Sequence, residues 1–139
     1  MARYVTFTVA DGLYGVDVLR VQEALRGHER TRVPLAPKGI AGLVNLRGQV
    51  VLTVDLRPRL GLPQLDEDAD PMMVVVQVAG EPVSLLVDEI GDVVDVPADR
   101  VENPPDTLDP DLRTLIRAAC TLDDRLLLVL DVDQAAAAA

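Results

Sequence analysis

Asn-Leu-Arg-Gly at residues 45–48, followed at once by Gln-Val-Val-Leu-Thr-Val-Asp at 49–55, is the stretch that decides the fold. It predicts a polar turn that leads into a strand filled with valine and leucine. A related pattern returns near the C-terminus, where Leu-Asp-Asp-Arg at 122–125 leads into Leu-Leu-Leu-Val-Leu-Asp-Val at 126–132. The arginine and glycine of the turn do not return. We therefore interpret the strand as a scaffold element used twice, with additional chemistry at the first turn only.

The rest of the chain repeats as well. Phe7 matches Val76 at an offset of 69 residues, and Leu46 matches Leu122 at an offset of 76. The difference of seven residues falls in the proline-rich connection 97–112. Each half contains only a few short strands, too few to bury a core of its own. The sequence therefore predicts two structurally similar halves that share one hydrophobic interface.

Local patterns within the halves indicate β-structure. Residues 5–9 alternate between apolar and polar, Asp11-Gly12 signals a turn, and residues 14–18 alternate again, which predicts a hairpin. Residues 38–43 are interpreted as a short helical turn, and residues 134–139 as a flexible alanine-rich tail. Strands with turn signals at short spacing, and few long helical patterns, favour small β-barrels over a β-α-β sheet.

Composition and charge restrict the classes of function. The 139 residues fit one domain, and with 2% aromatic residues the core must consist of valine and leucine. Thirteen basic and 23 acidic residues give a formal net charge of −10. No basic stripe is visible, which argues against nucleic acid and anionic membranes as ligands and suits partners with basic patches. The apolar runs are too short to span a bilayer, and no signal-like leader is present, so a cytoplasmic protein is expected.

The residues that metal or nucleophilic chemistry requires are isolated in this sequence. His28 and Cys120 each occur once, and Cys120 lies in an apolar segment typical of a buried structural thiol. The aspartates at 66–70 resemble the start of a calcium loop, but its later glycine and glutamate are absent. Ser84, the single serine, lies in a strand pattern without a nucleophile elbow. We therefore expect no metal, no cofactor and no enzymatic activity.

Several segments together resemble the CheW family of chemotaxis coupling proteins. They are Tyr-Gly-Val-Asp-Val (14–18), Val-Gln-Glu (21–23), Gly-Leu-Val-Asn-Leu-Arg-Gly (42–48) and Val-Asp-Leu-Arg (54–57), with further similarity at 86–88, 92–93 and 122–127. The resemblance runs from Tyr4 to Asp133. Alanine and cysteine stand at 118–120, where the family often has glycines, which leaves open the backbone shape before the last strand.

The resemblance implies a mainly β fold in which two small five-stranded β-barrel subdomains pack around a shared hydrophobic core, with short helices. The resemblance implies a single domain, residues 1–139, that consists of two intertwined subdomains at about 10–70 and 71–133. The two subdomains can also exchange their terminal strands. It also implies a non-catalytic adaptor that couples membrane chemoreceptors to a CheA-type histidine kinase. Such an adaptor is cytoplasmic and is recruited to receptor arrays at the membrane.

Candidate binding residues follow from the matching motifs. The resemblance implies a kinase-binding edge at Asn45, Leu46, Arg47 and Gly48, and receptor-binding positions at Val21, Glu23 and Val93. Arg47 has a second interpretation, in which it pairs with Glu23 and holds the turn in place. The two roles are compatible.

Three alternatives remain open from the sequence. The chain could serve a chemosensory pathway that does not control motility. A small-molecule-binding β-barrel would need a closed apolar cavity. A hydrolase would need His28 close to a nucleophile.

Overall fold

The computed structural model describes residues 1–26, 30–66, 68–123 and 125–137. In this part of the chain the mainly β prediction is confirmed. The strands are β1 (Ala2–Val9), β2 (Gly12–Asp17), β3 (Val21–Arg26), β4 (Ile40–Leu46), β5 (Gln49–Asp55), β6 (Met72–Val78), β7 (Glu81–Val87), β8 (Glu89–Val96), β9 (Ile116–Leu122) and β10 (Arg125–Leu130). The helices are α1 (Pro110–Arg113) and α2 (Val132–Ala136), with 3-10 turns at Val18–Arg20 and Ala98–Arg100.

The strands form two five-stranded sheets. Sheet A has the order β8-β1-β2-β10-β9, and sheet B has the order β3-β6-β7-β5-β4. One pair in each sheet, β2 with β10 and β5 with β7, is parallel, and the other pairs are antiparallel. The predicted five-stranded subdomains are therefore present, as open sheets and not as closed barrels.

Each open sheet gains a single further bridge at its outer strand. Thr31 pairs with Leu43 of β4, and Glu102 pairs with Ala119 of β9. The segments that supply these bridges contain prolines, which lack the N–H group that a longer strand pairing requires. The connecting segments therefore touch the sheet edges without extending them.

The internal repeat is visible in the strand register. In β1–β2, Tyr4 lies opposite Asp17, and in β6–β7 Met73 lies opposite Leu86, each 69 positions later. The β4–β5 and β9–β10 hairpins correspond in the same way at an offset of 76, including the register shift near the start of β4 and of β9. The two sheets are thus built to one plan.

The halves of the sequence exchange hairpins. Sheet A combines β1 and β2 with β8, β9 and β10, whereas sheet B combines β3, β4 and β5 with β6 and β7. A division near residue 70 separates the repeats in sequence, but each sheet draws strands from both sides of it. The exchange ties the two sheets together through the covalent chain.

One hydrophobic core lies between the sheets and draws on both. Its largest fully buried members include Phe7, Leu56, Leu85, Leu115 and Leu130. Phe7 stacks against Tyr14 with ring centroids 6.3 Å apart. Two smaller clusters, one in each sheet, consist mainly of valine, leucine, alanine and methionine, with Tyr4 and Cys120 in the cluster of sheet A. Aliphatic side chains therefore provide most of the core, as the low aromatic content requires.

Two local predictions are corrected by the structure. Residues 40–43 belong to strand β4 and not to a helical turn, because Leu43 pairs with Leu52 on one side and with Thr31 on the other. Residues 134–136 belong to α2 and not to a flexible tail. The Asp131 carboxylate caps this helix by accepting a hydrogen bond from Gln134 N at 3.2 Å, and Ala135 is fully buried in the shared core.

Candidate functional site

The candidate site is centred on the turn between β4 and β5. Arg47 and Gly48 both have positive φ, 51° and 87°, which is the geometry of a tight two-residue hairpin turn. The side-chain oxygen of Asn45 accepts a hydrogen bond from Gly48 N at 2.9 Å and closes the turn. Leu46 is buried within sheet B. Asn45 and Leu46 therefore fix the turn, and the Arg47 side chain extends into solvent with 70% of its surface exposed.

Arg47 forms a bidentate ion pair with Glu23 of β3. Its Nη1 donates to Glu23 Oε1 at 3.0 Å, and its Nη2 donates to Oε2. Gln22 Nε2 also donates to Glu23 Oε2, at 3.1 Å. The hydrogen bond and the negative charge of Glu23 raise the pKa of Arg47. Because β3 and β4 are the two edges of sheet B, this pair links the first and last strands of an open sheet.

The second half has no equivalent of this pair. The repeat places Asp92 at the position of Glu23 and Asp123 at the position of Arg47, so both positions are acidic. Asp123 also has positive φ, 39°, whereas Asp124 lies outside the described residues. Two carboxylates repel each other, so the Arg–Glu link belongs to the first half only.

One exposed residue beside this turn was not among the candidate binding residues predicted from the sequence. Val50 lies opposite Asn45 in the β4–β5 register and has 63% of its surface exposed. Leu126 occupies the equivalent position in β10 and is 46% exposed. The signal that could have identified Val50 is an apolar residue at the second position of the strand after the turn, on the strand face opposite to that of buried Val51.

The predicted receptor-binding residues lie on the edges of different sheets. Val21 and Glu23 belong to β3 at the edge of sheet B, whereas Val93 belongs to β8 at the edge of sheet A. Val21 is half-buried and packs against the shared core, and Val93 is 54% exposed. The structure brings Glu23 to Arg47, and it places Val93 on the other sheet.

Comparison with known proteins shows which family the chain belongs to. The family model described as a CheW-like domain matches residues 3–139. The chain belongs to the CheW family. The chemotaxis protein CheW of Klebsiella aerogenes is 30% identical to it over 135 residues, covering 94% of this chain and 79% of the relative. The chemotaxis protein CheW of Bacillus subtilis is 29% identical over 131 residues, covering 94% and 84%.

A solved structure shares the fold of this CheW-family chain. The crystal structure of the scaffolding protein TtCheW from Thermoanaerobacter tengcongensis superimposes with a TM-score of 0.83 at 27% sequence identity, covering 94% of this chain and 88% of that one. The recognition from the Asn-Leu-Arg-Gly and Val-Gln-Glu segments is confirmed. The chain is a chemotaxis coupling adaptor.

The side chains that nucleophilic or metal chemistry would require are buried or isolated among the described residues of the CheW-family chain. Cys120 is fully buried, and burial raises the pKa of its thiol, which disfavours the reactive thiolate. Ser84 is fully buried in β7, facing Thr53 of β5. Among the described residues, no group of three or more histidine, cysteine, aspartate or glutamate side chains could hold a metal ion. His28, required by the hydrolase hypothesis, lies outside the described residues.

The helices carry no membrane-crossing segment in the part of the chain that the structure describes. Both α-helices there are single short turns, four and five residues long.

Proposed function

We propose that this chain couples membrane chemoreceptors to a CheA-type histidine kinase without catalysing a reaction, and that the β4–β5 turn binds the regulatory domain of the kinase. The observation that carries the proposal is the exposed pair of Arg47 and Val50 at one hairpin end. Arginine beside an exposed apolar side chain is a common composition for the centre of a protein interface. The adaptor would act in the cytoplasm, recruited to receptor arrays.

The geometry divides the predicted kinase-binding residues into two roles. Asn45, Arg47 and Gly48 are exposed and can touch a partner, whereas Leu46 is buried and acts by holding the turn. Val50, which is not among the residues predicted from the sequence, adds an exposed apolar contact. The guanidinium group of Arg47 has five N–H donors, of which two bond to Glu23. The remaining donors are available to a partner while the ion pair keeps the side chain in place.

For the receptor, we propose contact along the exposed edges β3 and β8. Val93 offers an apolar side chain at the edge of sheet A, and Glu23 supports the edge of sheet B. A helical segment that lays its apolar face against such edges would fit this surface. Each contact would be weak, and the multiple contacts of an array would supply the stability.

The experiment that tests the kinase contact is calorimetric titration of the chain with the regulatory domain of a CheA-type kinase. We expect Val50→Asp to weaken binding about tenfold or more, because a carboxylate would be buried in an apolar contact. Leu126→Asp is the matched variant at the equivalent position of the second half. A loss seen only in Leu126→Asp would move the kinase contact to the second half, and no loss in either variant would refute contact through a hairpin end.

Arg47→Ala separates the contact role of the arginine from its structural role. We expect binding to the kinase regulatory domain to weaken about tenfold. The melting temperature should change little, because the Arg47 side chain is mostly exposed and solvent screens its charge. Glu23→Gln serves as the control, since it weakens the ion pair and leaves Arg47 present. If both variants had a lower melting temperature and an unchanged affinity for the kinase, Arg47 would stabilise the turn without contacting the kinase.

A further inference from the structure

The connection between β3 and β4 carries a concentration of positive charge in an acidic protein. We call residues 30–38 the basic connector. It contains Arg30, Arg32 and Lys38 and no acidic residue, although the whole chain has a formal net charge of −10. None of the three side chains forms an ion pair with a described residue. The sequence alone did not predict this surface, because three basic residues among nine come together on one surface only when the chain folds.

The basic connector is fixed to the edge of sheet B. Thr31 and Leu43 exchange two backbone hydrogen bonds of 2.8 Å, and Gly39 accepts another from Asp55 N at 2.9 Å. Gly42 permits this approach, because a Cβ atom there would lie 2.5 Å from the carbonyl oxygen of Thr31. The cations are therefore presented on an anchored segment, which lowers the entropy lost on binding a partner.

The basic connector also displays a leucine that the fold does not use. Ala36 N donates to Val33 O at 3.3 Å across a turn in which Pro34 precedes Leu35. Leu35 has φ of 62° at the turn position that favours glycine or asparagine, and its side chain is fully exposed. Leu35 therefore adopts a φ that leucine rarely takes while its side chain buries no surface, and Val33 beside it is also exposed, which leaves apolar surface free on the basic connector.

The equivalent connection in the second half has the opposite charge. Residues 97–115 contain five acidic residues and two arginines: Asp99, Glu102, Asp106, Asp109, Asp111, Arg100 and Arg113. Its Glu102 makes the same edge bridge to Ala119 that Thr31 makes to Leu43. The fold therefore accepts either sign of charge in this connection, and the positive charge of the basic connector is not a structural requirement.

We propose that the basic connector is a docking surface for an acidic segment of a partner protein that also carries apolar side chains. The acidic groups would meet Arg30, Arg32 and Lys38, and the apolar groups would cover Leu35 and Val33. This surface is separate from the proposed kinase contact, since Lys38 precedes the start of β4 and Arg47 follows its end. The inference therefore does not depend on the proposed kinase contact.

An extended segment fits this surface better than a small anion does. The three cations line a cavity of about 430 Å³ together with two carboxylates, those of Asp55 and Asp66. A single phosphate in this cavity would meet charges of both signs. A peptide can place its carboxylates along the connector at the cations and keep them away from the two aspartates.

The test is fluorescence anisotropy with a labelled synthetic peptide of about 12 residues, composed of glutamate with leucine at alternate positions near its centre, so that an extended chain places the leucines on one face. We expect the wild-type chain to bind it, with an affinity that falls at least about tenfold when NaCl is raised from about 0.05 to 0.3 M. Arg30→Glu with Arg32→Glu should abolish binding. Arg100→Glu with Arg113→Glu changes the net charge equally in the opposite connection, and should leave binding within about twofold.

A second variant tests the apolar part of the proposal. Leu35→Asn keeps a residue that adopts positive φ and removes the apolar side chain, so the chain should fold normally and bind the peptide several-fold more weakly. The proposal is overturned if the wild-type chain does not bind the peptide, if the Arg30/Arg32 variant binds it equally, or if a lysine–leucine peptide binds as well. If inorganic phosphate at equal concentration competes with the peptide, the ligand of this surface is a small anion and the proposal is wrong. If the wild-type chain forms dimers in sedimentation and the Arg30/Arg32 variant does not, the partner is a second copy of the chain and the proposal is also wrong.

Discussion

Phe7→Ala is expected to lower the free energy of unfolding by about 3–5 kcal/mol, because it leaves a cavity in the core between the two sheets. Phe7 is fully buried there and stacks on Tyr14. Small domains have a total stability of about 5–15 kcal/mol, so this one change removes a large fraction of it. The measurement is the midpoint of urea unfolding, monitored by circular dichroism. The slope of the unfolding free energy against urea concentration should be the same for the variant and the wild-type chain.

Val76→Ala is the matched control for Phe7→Ala. Val76 occupies the equivalent position in the repeat, is equally buried and belongs to the same core. Its loss removes less apolar volume, so we expect a cost of about 2 kcal/mol. Equal midpoints for the two variants would contradict a core in which Phe7 fills the space between the sheets.

Gly42→Ala is expected to cost about 2–6 kcal/mol of stability, because the added Cβ would meet the backbone of the basic connector. The Cβ would lie 2.5 Å from the Thr31 oxygen, and the residue has φ of 139°. Relieving the overlap breaks the two hydrogen bonds between Thr31 and Leu43, each contributing about 0.5–1.5 kcal/mol, and strain at this φ adds about 1–3 kcal/mol. Denaturant unfolding gives the total, and faster amide exchange at Thr31 and Leu43 locates the change.

Ala118→Gly provides the control for Gly42→Ala, since the repeat places Ala118 at the position of Gly42. Ala118 has no positive φ, so glycine there should cost only about 1–2 kcal/mol, through the entropy of the unfolded chain and the loss of one buried methyl group. A wild-type midpoint for Gly42→Ala would show that the connector can leave the edge of β4 without loss.

Much of the architecture could be predicted because hydrophobic periodicity is a local property. Alternation across 5–9 and 14–18 predicted the first hairpin, and β1 and β2 form it. The offsets of 69 and 76 matched residues that occupy equivalent positions in the two sheets. Apolar residues in equivalent strands face equivalent cores, so the repeat remained visible in sequence.

The candidate site could be predicted only in part. The Asn-Leu-Arg-Gly motif predicts the turn, and the Val-Gln-Glu segment supplies Glu23 as a partner for Arg47, a contact that the structure contains. The burial of Leu46 and the exposure of Val50 were not foreseen, because both are apolar residues beside the same turn. Which of two such residues faces solvent depends on the register of the hairpin and on what covers each sheet face. The same limitation applied to residues 40–43, whose strand pairing comes from distant Thr31 and Leu52.

The sequence by itself determined that the chain is a mainly β member of the CheW family, with two similar halves and an arginine turn in the first half only. These properties reside in motifs and periodicity, which neighbouring residues specify. Only the tertiary structure decided that the halves exchange hairpins, that Arg47 and Glu23 link the two edges of sheet B, and that Arg30, Arg32 and Lys38 form one exposed surface. Each of these depends on contacts between segments far apart in the chain, and long-range pairing sets their geometry.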